Sequence, residues 1–170
     1  HTPKPIILYN IPSRTGCNML PETVARIADS CPNVTGIKEA SGNISQVAKL
    51  ASLVGDRLDI YSGNDDQIVP VMSLGGTGVI SVLANLLPKN IHDITKEMLN
   101  GNYITAKNAQ LACEKLIEKL FAEVNPIPVK AALHMMGMDV GPVRLPLTEL
   151  EETHKIELKR AMSEAGIRSL

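Results

Sequence analysis

The sequence predicts an α/β chain in which strand and helix units repeat around a parallel sheet and then give way to helices alone. Three observations predict it. Over the first hundred residues, short apolar runs alternate with segments whose apolar residues fall at helical spacing, the pattern of parallel strands with helical crossovers. From about Pro88 the strand signal disappears. Two of the runs also end in polar groups, Tyr9 after Ile6-Ile7-Leu8 and Lys38 after Val34-Thr35-Gly36-Ile37, where packing gives no reason for them.

The first strand lies in Pro5 to Asn10 and passes into a turn-like segment, Ile11 to Gly16. Pro21 suits the opening turn of a helix whose Val24, Ile27 and Ala28 share a face, and Cys31-Pro32-Asn33 breaks that pattern. The second strand ends at Lys38. Ser41-Gly42-Asn43 offers capping groups to a helix with Ile44, Val47, Ala48, Ala51 and Val54 at helical spacing, and Gly55 is its stop. The third strand is Leu58 to Tyr61, with Ser62-Gly63-Asn64 as its exit loop. Asp65 and Asp66 then fall in the first turn of a helix, where carboxylates favour the positive end of the dipole.

Gly75-Gly76-Thr77-Gly78 leads into a fourth strand, Val79 to Leu83. These glycines precede a strand, whereas a dinucleotide fingerprint follows one and opens a helix, so they read as a tight return turn. Helices follow at about 89–100, 103–122, 128–136 and 149–165, broken by Gly101, Asn125-Pro126-Ile127-Pro128 and Gly141-Pro142. Glu114, Lys115, Glu118 and Lys119 alternate in sign and read as a solvated face, and Met135, Met136 and Met138 as core filler.

Composition narrows the function. With 17 basic against 18 acidic residues and no basic block, the chain offers no footprint for nucleic acid or an anionic membrane. No apolar stretch approaches membrane-spanning length. Cys17, Cys31 and Cys113 are odd in number and widely spaced, and read as reduced thiols of a cytosolic protein. His1, His92, His134 and His154 lack metal-ligand spacing, and no Gly-x-Ser-x-Gly elbow is present, which argues against metal catalysis and a serine hydrolase. The opening His-Thr-Pro-Lys-Pro has neither a signal-peptide core nor an initiating methionine, and the expectation is a fragment of a longer chain.

At the carboxyl ends of parallel strands, Tyr9, Lys38, Gly63 with Asn64, and Ile80 with Ser81 converge on one mouth. A lysine amine that loses solvation there becomes a nucleophile toward carbonyl groups. By position alone, Lys38 also fits a solvated or salt-bridged lysine near Glu39, and Tyr9 equally a core aromatic with a satisfied hydroxyl. Arg14 fits a solvated charge, though its planar fork suits a carboxylate.

Tyr9-Asn10-Ile11-Pro12-Ser13-Arg14-Thr15-Gly16, Gly36-Ile37-Lys38-Glu39-Ala40, Ser62-Gly63-Asn64-Asp65, Gly78-Val79-Ile80-Ser81-Val82 and Asn125-Pro126-Ile127-Pro128-Val129-Lys130 follow in an order and spacing that resemble the dihydrodipicolinate synthase (4-hydroxy-tetrahydrodipicolinate synthase) family. The resemblance covers nearly the whole chain. It implies a class I, lysine-dependent lyase on a (β/α)8 TIM barrel with a C-terminal helical domain. The match begins at the fifth barrel strand, so residues 1–101 correspond to the second half of the barrel (strands 5 to 8 with their helices) and residues 102–170 to the helical domain. The family's threonine pair, its second tyrosine and most of its lysine feedback site have no counterpart here.

By the same resemblance Lys38 forms an imine with pyruvate and Tyr9 shuttles protons. Arg14 holds the carboxylate of L-aspartate 4-semialdehyde, and Gly63 and the backbone of Ile80 line the pyruvate pocket. The implied product is 4-hydroxy-tetrahydrodipicolinate on the diaminopimelate route to lysine, made without cofactor or metal by a cytoplasmic homotetramer. Two alternatives stand beside it. A sibling aldolase, such as N-acetylneuraminate lyase or a 2-keto-3-deoxy sugar acid aldolase, shares the imine lysine and the tyrosine, and Arg14 discriminates against it. An inactive half-barrel, with open edges at Ile6 to Tyr9 and Val79 to Leu83, only self-associates.

Overall fold

Four short strands pair side by side in chain order. The computed structural model describes residues 2–169, so His1 lies outside the described residues. β1 (Ile6–Asn10), β2 (Val34–Glu39), β3 (Asp59–Ser62) and β4 (Gly78–Val79) form one parallel sheet of order β1-β2-β3-β4. Parallel neighbours need crossover connections, and α1 (Pro12–Thr15) with α2 (Pro21–Ser30), α3 (Ile44–Val54) and α4 (Ile68–Ser73) supply them. The chain is therefore α/β with a parallel sheet.

Strand alternation separates two faces. Ile37 and Ile60 are buried, with Ile6 and Leu8 packed against the same cluster, which takes in Val24 of α2, Val47, Leu50 and Val54 of α3 and Val71 of α4. Ile7 and Tyr9, on the opposite face, stay 48% and 47% exposed. Pro21 opens α2 as expected, and Asn43 caps α3 by accepting from the Gln46 amide at 3.2 Å. The turn-like segment after β1 contains the helical turn α1, closed by Gly16 in the left-handed region at φ 67°.

The fourth strand is shorter than the Val79 to Leu83 run suggests. The Ile80 amide still donates to the Ser62 carbonyl at 2.9 Å. The Val82 and Leu83 amides instead donate to Asp65 Oδ2 at 3.0 and 2.9 Å, and the chain turns into a 3-10 helix at Leu83–Asn85. Asp65 corrects a second expectation for the same reason. It opens a 3-10 turn, Asp65–Gln67, ahead of α4, but its buried carboxylate serves the 82–83 backbone rather than the end of a helix dipole.

α5 (Pro88–Leu99), α6 (Tyr103–Leu120), α7 (Ile127–Met135) and α8 (Glu152–Glu164) fall close to their expected places. A second apolar cluster joins Ile68 and Met72 of α4, Ile91 and Ile94 of α5, Leu116 and Leu120 of α6, Ala132 of α7 and Leu158 and Met162 of α8. Packing is thus continuous across residues 101 and 102. Met135 and Met136 pack against this cluster, while Met138 is half exposed. Among the described residues no helix is long and apolar enough to cross a membrane, and the three cysteines are free thiols.

Candidate active site

Register brings the two strand-ending polar groups together. Tyr9 and Lys38 are cross-strand partners in β1 and β2, and Lys38 Nζ lies over the Tyr9 ring, 4.3 Å from its centroid. That is cation–π distance. Lys38 is half-buried, and Tyr9 at 47% exposure is no core aromatic. Glu39 is not the lysine's partner either. It sits one residue on, 3% exposed on the other face, where its carboxylate accepts from Asn10 Nδ2 (3.0 and 3.3 Å) and from the Ser41 amide (2.8 Å).

Sequence position gives Asn10 no role of its own and offers Glu39 only as a partner for Lys38. Asn10 Oδ1 accepts from the Met19 amide at 2.9 Å, and its Nδ2 also reaches Asn18 Oδ1 at 3.0 Å. This network pins the carboxyl ends of both strands to the loop before α2, and so fixes where Tyr9 and Lys38 stand. The available signal was that each polar pair, Tyr9-Asn10 and Lys38-Glu39, puts one member on each face.

Gly63 lies against the lysine stem. Its amide donates to the Glu39 carbonyl at 2.7 Å, and a Cβ there meets Ala40 Cβ at 2.5 Å and Lys38 Cε at 3.1 Å. A cleft of about 370 Å³ opens beside Lys38, lined also by Ile80, Ser81, Asn85, Asn125 and Lys130. Asn125 Oδ1 is buried without a hydrogen-bond partner among the described residues. Arg14 does not line this cleft but reaches its rim, donating from Nη1 to the Asn125 carbonyl at 3.2 Å. A larger, mainly apolar groove of about 690 Å³ between α7 and residues 141–150 holds none of the expected site residues.

Glu123, Glu151 and His154 offer ligand atoms within 4.8 Å of one another, a cluster that spacing within the sequence hides because the loop after α6 meets the start of α8. Glu123 Oε1 is already engaged by His154 Nδ1 at 2.7 Å and by the Glu151 amide at 3.0 Å. The arrangement is a clasp between loop and helix.

Residues 1–165 match the family model described as the dihydrodipicolinate synthetase family. The chain belongs to that family. A dihydrodipicolinate synthetase relative named 4-hydroxy-tetrahydrodipicolinate synthase, from Caldicellulosiruptor saccharolyticus, is 58% identical over 163 residues, 96% of this chain and 55% of the relative. The solved dihydrodipicolinate synthase of Thermotoga maritima superposes with a TM-score of 0.95 at 41% identity, over 98% of this chain and 57% of that one. The chloride-inhibited enzyme of Acinetobacter baumannii, solved in complex with pyruvate, gives 0.93 at 40% identity, over 98% and 57%. The chain spans about half the length of the relatives it matches.

Proposed function

We propose that this chain is the lysine-bearing part of a 4-hydroxy-tetrahydrodipicolinate synthase. Residues 1–101 form the second half of a (β/α)8 TIM barrel and residues 102–170 the C-terminal helical domain packed on it. The observation that carries the reading is the Lys38 amine held over the ring of its cross-strand partner Tyr9, beside a cleft, in a chain of this family.

Once deprotonated, the Lys38 amine attacks the keto carbon of pyruvate, and loss of water leaves an imine. The imine is the electron sink for removal of a methyl proton, so the chemistry needs no separate cofactor. The resulting enamine carbon bonds to the aldehyde carbon of L-aspartate 4-semialdehyde, whose oxygen takes up a proton. The amino group of that substrate then attacks the imine carbon, closes the ring and releases Lys38 as an amine. Tyr9, whose ring lies beneath the amine, takes the role of carrying protons between these steps.

Arg14 Nη1 is engaged by Asn125, which leaves the other donors of its fork for the aldehyde's carboxylate. Gly63 gives the lysine stem room, and Ile80 contributes backbone to the pyruvate side of the cleft. Pyruvate as first substrate is supported by the Acinetobacter baumannii relative. A homotetrameric, cytoplasmic enzyme belongs to the same reading.

Borohydride reduction of the full-length barrel in the presence of pyruvate, followed by peptide mass mapping, tests the reading. The expected label is on Lys38, and Lys38→Ala removes it; a label elsewhere, or none, refutes the imine. Arg14→Ala is expected to weaken use of the semialdehyde while sparing the label, and equal loss of both contradicts the role of Arg14.

A further inference from the structure

We propose that Asp65 is a positioning residue that fixes the Ile80–Ser81 rim of the Lys38 cleft, with Gln110 of α6 holding the turn from which Asp65 acts. In its catalytic readout this rests on the imine reading of Lys38.

Asp65 is 2% exposed, and its Oδ2 accepts two consecutive backbone amides, Val82 at 3.0 Å and Leu83 at 2.9 Å. Ladder pairing with β3 has ended by then, since the Ile80 amide is the last to reach it, at the Ser62 carbonyl. Without Asp65 these amides are orphans in a half-buried to buried stretch. The grip therefore decides where Ile80, Ser81 and Val82, all lining the cleft, come to rest.

Two residues before Asp65 stands Gly63, whose backbone packs on Glu39 and Lys38. One short segment thus touches the lysine wall through its backbone and the opposite rim through its side chain. Behind it, the buried Gln110 side chain donates from Nε2 to the Asp66 carbonyl and accepts at Oε1 from the Val69 amide, both at 2.7 Å. Gln110 so satisfies a free amide at the start of α4 and clamps the turn between residues 65 and 69 from the helical side.

The cost of the arrangement shows in the carboxyl group itself. Asp65 Oδ1 is buried without a partner among the described residues, and burial pushes the carboxyl above the usual aspartate range against the lowering influence of the nearby Ser81 hydroxyl and the Leu83 and Val82 amides. Unpaired buried oxygens are uncommon. A site that only filled space is better served by an apolar side chain, whereas a carboxylate reaches both amides from one oxygen.

Asp65→Asn keeps the volume and one acceptor but removes the charge. In the full-length barrel, amide hydrogen exchange at Val82 and Leu83 is expected to quicken about tenfold or more, with β2 amides unchanged. The KM for the 2-oxoacid is expected to rise several-fold while that for the aldehyde holds. Gln110→Met is expected to move both readouts the same way by less, and it decides the matter alone if the Asp65 variant does not fold. Unchanged exchange and 2-oxoacid KM, or a parallel rise for both substrates with uniform loss of protection, overturns the proposal. If the unaltered protein traps no pyruvate, the imine reading falls, and the exchange data still decide whether Asp65 holds the rim.

Discussion

Gly63 shows how little room surrounds the lysine stem. A methyl group at this position sits 2.5 Å from Ala40 Cβ and 3.1 Å from both Lys38 Cε and the Glu39 carbonyl, and the two obstacles other than the stem lie at the last residue of β2 and the one after it. Gly63→Ala is expected to destabilise the fold by about 1–3 kcal/mol, the usual cost of overpacking, and to slow pyruvate trapping by displacing Lys38. Urea unfolding and borohydride trapping of the same variant check both parts; unaltered values in both mean that Ala40 yields freely. At this scale the sequence is partly legible. Lys38 and Tyr9 stand out locally, as polar ends of apolar runs. Asn10 and Glu39 do not, because their meaning lies in a bond across 29 residues. Asp65 invites the wrong explanation because its partner amides lie 17 and 18 residues further on.

Elements with local punctuation are legible, and those ended by a distant side chain are not. Pro21 and Asn43 mark helix starts that the structure bears out, whereas β4 stops early because Asp65 takes its next amides. The clasp between the loop after α6 and α8 is of the second kind, and it carries a pH dependence. The bond to Glu123 is the main cause that raises His154 above the ordinary histidine value, and the bond to His154 the main cause that holds Glu123 below the usual carboxylate range. Stability from a raised histidine is complete below its unfolded value, about 6.5, and is lost as pH climbs through the higher folded value. Stability from a depressed glutamate is complete above about 4.3 and is lost as pH falls through the lower folded value. The clasp is therefore strongest between those limits. Thermal unfolding of the unaltered chain and His154→Ala across pH should show a gap that is widest near pH ~5–6 and narrows on the alkaline side. A gap that does not change with pH contradicts the clasp.

At the scale of the molecule, strand order follows from the alternation of units along the chain, but closure does not, because nothing local tells a sheet edge from an interior strand. β1 and β4 are the edges of this sheet, and Ile7, Tyr9 and Ile80 remain 48%, 47% and 41% exposed. In the proposed reaction the lysine reacts as a neutral amine and the phenol passes protons, and both work best where water is excluded. Here Tyr9 is 47% exposed, in a chain that matches little more than half the length of its relatives. The 170 residues alone are accordingly expected to give negligible synthase turnover. Turnover should appear when a separately produced chain carrying the remaining four strand and helix units of the proposed (β/α)8 barrel is added. Mixing is the informative arm: recovery that saturates with added chain places the missing groups across the open face, and turnover by the 170 residues alone at the level of the complete barrel refutes the need for closure.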